Sequence, residues 1–564
     1  MHGLRFRPRL VDTLTQGYHT AQFLNDLAAG VTVGVLALPL AMAFAIASGM
    51  SPAAGIWTAI VAGFLISAFG GSRVQIGGPT GAFIPIIYGI VTRYGVDQLL
   101  IATMMAGVLL FALGALRLGG LIRFIPISVV IGFTNGIAVV IFLSQIKDFL
   151  GLAIDTLPGE FFAKMQALIT ALPTWDLPTT LFGLASLSFL IVWNRLAKRI
   201  AWMQLLPGPL ATLIVATAIN ALWSLPIATI GTRFGGIPAE IPAIHLPAFE
   251  PSHLRDLLPV AIAIALLGAI ESLLSARVAD GMIDDRHDPN QELMAQGLAN
   301  VAAPFFGGFA ATGAIARTAT NVRAGGRTPV AGMVHALTLL AVVLLLAPAA
   351  AYVPLTTLAA IVLVVALNMG EWQEMRWCAL KRFATSYRVT LLATFLLTVL
   401  FDLTVAVEIG MVLAALGFIY RMSQLTEVEP IALEQRADVD RFRREDGTLR
   451  VAAYRISGSL FFGAVHKLDL FLETRDWPDV VILDLHRLIN IDASGLETLE
   501  MIRNDLSKRG IVLLLVGLNR QPRRILTNSG FLEELGTDRV FETLEAALAA
   551  SEHWQRGEAV VSYV

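Results

Sequence analysis

Charged residues are scarce in this sequence. Lys, Arg, Asp and Glu make up 15% of the 564 residues and 56% are hydrophobic, whereas about a quarter of the residues in a soluble domain are charged. The shortage is concentrated in long runs, and residues 27–72, 124–146, 200–232 and 328–370 contain no such charge. A membrane-spanning helix needs about 20 apolar residues. Runs this long without a polar face exclude a large soluble protein and predict a multi-span membrane protein.

Other features that define common protein classes are also missing. The single cysteine, Cys378, excludes an intrachain disulfide. The sequence also has no strongly basic patch of the kind that would indicate a nucleic-acid partner. His287 lies among Asp284, Asp285 and Asp288, but no second His or Cys stands at ligand spacing, which favours a solvated loop over a metal site. We find no nucleophile–base arrangement, so the sequence predicts no enzyme, no metal and no cofactor.

Apolar runs predict about fourteen membrane segments. They lie at 25–47, 53–70, 80–92, 98–116, 123–146, 179–196, 206–223, 256–278, 292–308, 314–324, 330–350, 354–370, 386–402 and 404–422. Basic residues cluster in short connections at 117–123, 195–199 and 376–388, which the positive-inside rule places in the cytoplasm. An even number of spans then puts both termini on that side of a bacterial inner membrane. The first ten residues are basic but lead into no apolar core, so no cleaved signal peptide is predicted.

Composition changes after Arg421, where charges return. Asp479–Leu485 and Ile511–Leu518 are short apolar runs typical of buried strands, and Leu449–Val465 predicts one or two more. Ala493–Lys508 has the pattern of an amphipathic helix, with further helices near Arg520–Ser529 and Thr543–Ser551. Alternating strands and helices predict a small α/β domain. The domains are therefore an N-terminal cytoplasmic segment (1–24), a transmembrane transport domain (25–425) and a cytoplasmic α/β domain (426–564).

Two predicted segments, 80–92 and 314–324, are too short to cross a bilayer. Each begins at a Thr-Gly-Ala tripeptide, Thr80–Ala82 or Thr312–Ala314, and they stand third and tenth in the span order. Short, glycine-interrupted segments at matching positions in two halves indicate an inverted-repeat transporter with a site near the bilayer midplane.

Half-helices that begin inside a membrane favour an anionic ligand. Their first N–H groups have no partner in hydrocarbon, and the helix dipole adds partial positive charge at the same end. Glycines at 77, 78, 81 and 313 would let an anion approach the amides closely. The residue types thus predict an anion site between the two segments.

Two charged residues fall within the predicted membrane region. Arg317 lies about one turn into the second half-helix, where a bound anion would offset its cost; the alternatives are an ion pair with Glu271 or exposure at the cytoplasmic surface. Glu271 is a candidate for coupling anion movement to a proton, or else a permanent partner of Arg317. Ser275, one turn further, shares its helix face and is included with Glu271 in the coupling group.

These motifs resemble the sulfate permease (SulP) family of anion transporters. The resemblance covers nearly the whole chain and is carried by 38–49, 77–83, 269–282, 290–300 and 307–332. It implies fourteen segments in two inverted repeats of seven, divided into core and gate domains, an elevator-type mechanism and a homodimer. It also implies that the anion sits beside Phe44 and is lined by the following residues: Thr80, Gly81, Ala82, Gly313, Ala314, Ile315, Ala316 and Arg317. A Glu at 271 resembles the proton-linked branch rather than the sodium-linked one; sulfate, bicarbonate and C4-dicarboxylates stay open as substrates.

The run Leu483–Leu499 resembles the STAS domain shared with anti-sigma-factor antagonists. By this match Ser494 corresponds to a serine that is phosphorylated in those proteins, which would add negative charge at a helix N-terminus. The alternative is that Asp492 and Ser494 only cap the helix that follows.

Several functions stay open on the sequence alone. A secondary transporter, by proton symport or anion exchange, competes with an uncoupled anion channel, which the same positive site would serve. A nucleobase permease shares the general architecture, but Arg317 and the STAS-like tail count against it. A membrane receptor is suggested only by the tail.

Overall fold

The computed structural model describes residues 7–120, 126–154, 156–197, 199–200, 203, 206–244, 246–248, 254–401, 403–435, 439–444, 447–465, 467–468 and 478–555. Within them the chain divides into two compact units, one ending at Leu413 and the other beginning at Ala414. The division falls inside a helix, N-terminal to the predicted boundary at 425/426. Arg123 and Lys198, two of the basic residues used to predict the topology, lie outside the described residues.

The first unit is helical. Its helices are α1 (Arg9–Thr15), α2 (Thr20–Ala47), α3 (Pro52–Phe69), α4 (Ile84–Tyr94), α5 (Val96–Ala115), α6 (Ile127–Leu150), α7 (Phe161–Ala171), α8 (Leu177–Leu196), α9 (Gly208–Trp223), α10 (Ile230–Phe234), α11 (Leu254–Ile283), α12 (Pro289–Ala302), α13 (Ile315–Arg323), α14 (Pro329–Ala350), α15 (Leu355–Met369), α16 (Trp377–Leu380), α17 (Thr385–Leu400) and α18 (Leu403–Gln424), which continues into the second unit. Each of the fourteen predicted segments overlaps one of these helices, although the bounds differ by several residues in places.

Not all of these helices are long enough to cross a membrane by themselves. Within the described residues, α2, α3, α5, α6, α8, α11 and α14 are long and apolar enough. Shorter apolar helices are α9, α15, α17 and the Ile409–Gln424 part of α18. The number of crossings therefore stays a prediction, although the position of each segment along the chain is as expected.

The helices pack mainly in two groups. The first helix group contains α2–α5 and α11–α14, and the second contains α6, α8, α9, α15 and α17. Glycines bring backbones together in the first group: a Cβ on Gly107 of α5 would lie 2.7 Å from the carbonyl oxygen of Gly297 on α12. Close approach through small residues is the usual way that helices pack in membranes.

Two short strands lie ahead of the two short helices. Strand β1 (Gly77–Gly78) precedes α4, with a 3-10 turn at Gly81–Phe83 between them, and β2 (Thr312–Gly313) precedes α13. They pair antiparallel, with Gly77 opposite Gly313 and Gly78 opposite Thr312.

The second unit is an α/β domain, as predicted. Its strands are β3 (Glu427–Pro430), β4 (Val451–Leu460), β5 (Val480–Asp484), β6 (Leu488–Ile491), β7 (Val512–Val516) and β8 (Val540–Phe541), and its helices are α19 (Ala493–Lys508), α20 (Arg520–Asn528), α21 (Phe531–Leu535) and α22 (Leu544–Gln555). The sheet order is β3-β4-β5-β7-β8, with β6 also on β4, and only β3 runs antiparallel.

The apolar runs predicted as buried strands are β5 and β7, both buried, and the predicted helix Ala493–Lys508 is α19. Leu449–Val465 forms a single strand, β4. The short strands β3, β6 and β8 were not predicted, because four or fewer residues carry too little periodicity.

Candidate functional site: a crossing of two broken helices

The N-termini of α4 and α13 begin beside the same two-residue ladder. The N–H of Ala314 extends the contact by donating to the carbonyl oxygen of Ile76 at 2.9 Å. The two short segments predicted to meet are therefore joined by main-chain hydrogen bonds. We call the β1–β2 pair, together with the helix starts that follow it, the crossing. A structure with the segments far apart would have contradicted the predicted site.

Glycine is required at the crossing for steric reasons. A Cβ on Gly313 would overlap the side-chain amide of Gln75, and one on Gly77 would overlap Ile66. Gly78 has a φ of +152°, and a Cβ there would lie 2.5 Å from Nη1 of Arg317. The two backbones and the Arg317 side chain pack so closely that no side chain fits between them.

The helix ends beside the ladder carry no side-chain cap. Ala314 precedes α13 and cannot cap it, and the Thr80 side chain forms no cap at the 3-10 turn. The first-turn N–H groups, at Ile315, Ala316 and Arg317 in α13, have no acceptor within the helix. Ile315 is 40% exposed and Ala316 is also exposed. An uncapped, accessible helix N-terminus attracts negative charge.

Phe44 of α2 lies beside the start of the first broken helix. Its ring atom Cε1 is 3.7 Å from the position of a Cβ on Gly81. Ile141 and Met369 stand equally close to that position, at 3.6 and 3.7 Å. These two residues come from α6 and α15 of the second helix group, and sequence reasoning missed them because nothing distinguishes them within their apolar runs.

Arg317 is 2% exposed, so it does not reach the membrane surface. Its Nη2 donates to the carbonyl oxygen of Pro79 at 2.8 Å, and Nη1 has no acceptor among the described residues. No ion pair joins Arg317 to Glu271 within 4.0 Å in the described part of the chain. A buried guanidinium with an unused donor is costly unless a further acceptor binds there.

Glu271 contacts the first broken helix instead. Its Oε2 accepts a hydrogen bond from the hydroxyl of Thr80 at 2.9 Å. Glu271 as a whole residue is half-buried, and its carboxylate lies beside the start of the first broken helix. Thr80 and Glu271, both predicted for the site, are thus in direct contact.

The same face of α11 holds both crossing segments. The Ser272 hydroxyl accepts hydrogen bonds from the Gln75 amide and from the N–H of Gly313, each at 3.3 Å, and Thr312 donates to the Gly268 carbonyl at 2.9 Å. Ser275 donates to Thr318 at 3.2 Å. Ser275 therefore contacts α13, one turn away from the Thr80–Glu271 pair, and its role in coupling stays a prediction.

In the second unit, Asp492 caps α19 by accepting the N–H of Gly495 at 2.9 Å, as predicted. Ser494 is half-buried in the first turn, and its hydroxyl makes no hydrogen bond within the described residues. Capping is therefore the role of Asp492 alone. The described residues hold no cluster of three or more His, Cys, Asp or Glu that could bind a metal.

Apolar helices around two paired, uncapped half-helices define a multi-pass membrane transporter for anions. Residues 23–394 match the model of the sulfate permease family and residues 444–547 match the STAS domain. The chain belongs to the sulfate permease family.

Three individual proteins resemble the chain, two in sequence and one in fold alone. YvdB of Bacillus subtilis (strain 168), which has a provisional name as a sulfate transporter, is 42% identical over 530 residues, covering 93% of this chain and 97% of the relative. The transmembrane domain of the cyanobacterial bicarbonate transporter BicA is 30% identical, with a TM-score of 0.61 over 70% of this chain and 98% of that domain. The murine anion transporter Slc26a9 in its inward-facing state shares the fold at 19% identity, with a TM-score of 0.84 over 97% and 94% of the two chains.

Proposed function

We propose that the protein carries a small oxyanion across the bacterial inner membrane by secondary active transport. The observation that supports this most directly is the β1–β2 ladder, which sets two uncapped helix N-termini beside the unused Nη1 donor of Arg317. The anion contacts the amides of Gly81, Ala82, Ile315 and Ala316 and packs against Phe44. Backbone N–H groups and a guanidinium bind oxygen anions well without selecting one shape.

The substrate class follows from the relatives' names and from the site. YvdB is named for sulfate and BicA for bicarbonate, and both anions are small oxyanions. A C4-dicarboxylate would need a second cationic contact. We propose sulfate or bicarbonate first and a dicarboxylate second.

We further propose that a proton, rather than sodium, is coupled to transport through Glu271. The Glu271 carboxylate accepts a hydrogen bond from Thr80 and lies beside the proposed anion site. Protonation of this carboxylate would therefore act directly on the start of the first broken helix. Protonating Glu271 would remove one negative charge near the anion and would reverse the direction of its hydrogen bond with Thr80.

The movement that we propose is of the elevator type. The first helix group would carry the crossing as one body past the second helix group, with Ile141 and Met369 among the residues it slides past. Both termini would be cytoplasmic, membrane lipid would surround the helices, and two chains would form a homodimer. A phosphate on Ser494 would regulate transport from the STAS domain.

The test is uptake by the purified protein in proteoliposomes. Radiolabelled sulfate, bicarbonate and fumarate, with uracil as a control, are offered under imposed proton or sodium gradients. We expect saturable anion uptake that an inward proton gradient accelerates. Uptake of uracil alone would favour a nucleobase permease, whereas non-saturable, gradient-independent flux would favour an anion channel. Counterflow without acceleration by protons would favour an exchanger.

A further inference from the structure

Helix α12 carries three buried polar side chains on one face. Glu292, Gln296 and Asn300 are spaced four residues apart and are each 0–1% exposed. We call them the α12 ladder. Among the described residues, none of the three is hydrogen-bonded to a proposed anion-binding residue. Polar groups buried inside a membrane protein are costly, so they are candidates for a functional role.

Asn300 pairs with the segment that leads into β2. Its Oδ1 accepts the N–H of Ala311 at 2.8 Å, and its Nδ2 donates to the carbonyl oxygen of the same residue at 2.8 Å. A side-chain amide thereby imitates the edge of a neighbouring strand and fixes the backbone one residue before Thr312.

Glu292 pairs with the segment that leads toward β1. Its Oε2 accepts the N–H groups of Gly71 and Ser72 at 2.9 and 3.1 Å, and its Oε1 accepts from the side chain of Gln296 at 2.9 Å. All three partners are donors, which suits an ionised carboxylate, because this group only accepts hydrogen bonds. The Nδ2 of Asn300 also donates to the carbonyl oxygen of Gln296 at 2.8 Å, so hydrogen bonds connect all three residues of the α12 ladder.

One helix therefore holds the entry to both crossing segments. We propose that Glu292 and Asn300 are positioning residues for anion binding: they set the separation and direction of the two helix N-termini at which the anion binds. This inference rests on the proposed anion site. Unlike the residues of the anion site, Glu292 and Asn300 would act only by holding the backbone of other residues in place.

Asn300→Leu and Asn300→Asp are the informative variants at one end, and Glu292→Gln at the other. Leucine removes both bonds to Ala311, whereas aspartate keeps the acceptor for its N–H. Glutamine has the size of Glu292 but only one side-chain oxygen. It therefore cannot accept hydrogen bonds both from the N–H groups of Gly71 and Ser72 and from Gln296. The matched control is Asn290→Leu on the same helix, because Asn290 accepts the N–H of Gly119, away from either crossing segment.

The experiment measures KM and maximal rate of anion uptake, together with amide hydrogen exchange of residues 309–314. We expect Asn300→Leu to raise KM about tenfold, which corresponds to about 1.4 kcal/mol, with the maximal rate within about twofold and faster exchange at 309–314. Asn300→Asp and Glu292→Gln should raise KM less, and Asn290→Leu should leave it unchanged.

An unchanged KM in Asn300→Asp and Glu292→Gln, in protein that inserts normally, would overturn the inference even if Asn300→Leu failed to fold. A fall in maximal rate with KM constant would also overturn it. These failures are distinct from that of the proposed function, which would show as no saturable anion uptake by the unaltered protein.

Discussion

The hydroxyl of Thr80 donates a hydrogen bond to Oε2 of Glu271 across 2.9 Å. This contact joins the start of the first broken helix to the only carboxylate predicted for the site. A hydroxyl can donate to a carboxylate or accept from a protonated carboxyl, so the contact survives either protonation state but reverses its direction.

Replacing Glu271 with glutamine should abolish the acceleration of uptake by an inward proton gradient, because the amide cannot take up a proton. Uptake without a gradient should persist. Initial rates in proteoliposomes at several imposed pH differences measure this. Asp256→Asn, an exposed change on the same helix, serves as the control. Full gradient dependence in Glu271→Gln would remove Glu271 from coupling.

Replacing Arg317 with alanine should lower the kcat/KM of anion uptake by about 100-fold. A hydrogen bond to a charged group contributes about 1.5–3 kcal/mol, and a tenfold change corresponds to about 1.4 kcal/mol. Arg323→Ala provides a matched control, since Arg323 lies on the same helix and is exposed. Normal uptake by Arg317→Ala in correctly inserted protein would exclude Arg317 from the site.

Gly313→Ala and Gly81→Ala should have different effects although the chemical change is the same. A Cβ on Gly313 would overlap the Gln75 side chain, so this side chain must move and lose its bond to Ser272, and thermal stability should fall. A Cβ on Gly81 would meet only ordinary contacts at 3.6–3.7 Å, so the fold should hold while the site narrows. We expect a lower Tm in Gly313→Ala, and in Gly81→Ala a higher KM that increases with anion size. Equal effects of the two changes on Tm would contradict this geometry.

In the STAS domain, Asp484 should make stability depend on pH. Burial alone would raise the pKa of Asp484, but hydrogen bonds from Arg455 at 2.8 Å and from His486 outweigh burial and hold the pKa below its ordinary value of 3.8. A carboxylate with a depressed pKa stabilises the fold above its ordinary pKa, and that contribution disappears as the pH falls through the lower, folded-state value.

Arg455→Met should therefore destabilise this domain by about 1–3 kcal/mol at pH 7 and by progressively less below pH 4. Pulse proteolysis of the full-length protein in urea, read on the C-terminal fragment, measures the difference at each pH. Arg509→Met, which removes an exposed pair with Asp505, should cost less than about 1 kcal/mol. A constant cost of Arg455→Met from pH 7 to pH 3 would show that the Arg455–Asp484 pair does not contribute.

The sequence predicted most of the architecture because membrane helices and buried strands leave strong local patterns. Apolar runs located fourteen helices but not the short helices α1, α7, α10 and α16, and the short length of 80–92 and 314–324 predicted their meeting. The predicted helix Ala493–Lys508 and its cap at Asp492 have the observed bounds. These features depend on composition and on local hydrogen bonds, which can be read from neighbouring residues.

What the sequence could not predict depends on contacts between distant residues. Ile141 and Met369 reach Gly81 from helices far along the chain, and no local pattern marks them. The bond between Thr80 and Glu271 joins residues 191 positions apart, so an ion pair between Glu271 and Arg317 was an equally reasonable expectation. The role of Asn300 depends on a loop that folds back onto its own helix.

The main-chain hydrogen bonds between β1 and β2 would restrict how an anion bound at the proposed site could be released. Because the two helix ends are fastened to each other, they cannot separate to open a path without breaking those bonds inside a medium that offers no replacement partner. A bound ion would therefore contact the same amides whichever side of the membrane it faces. Only the residues and solvent around that group of amides would change.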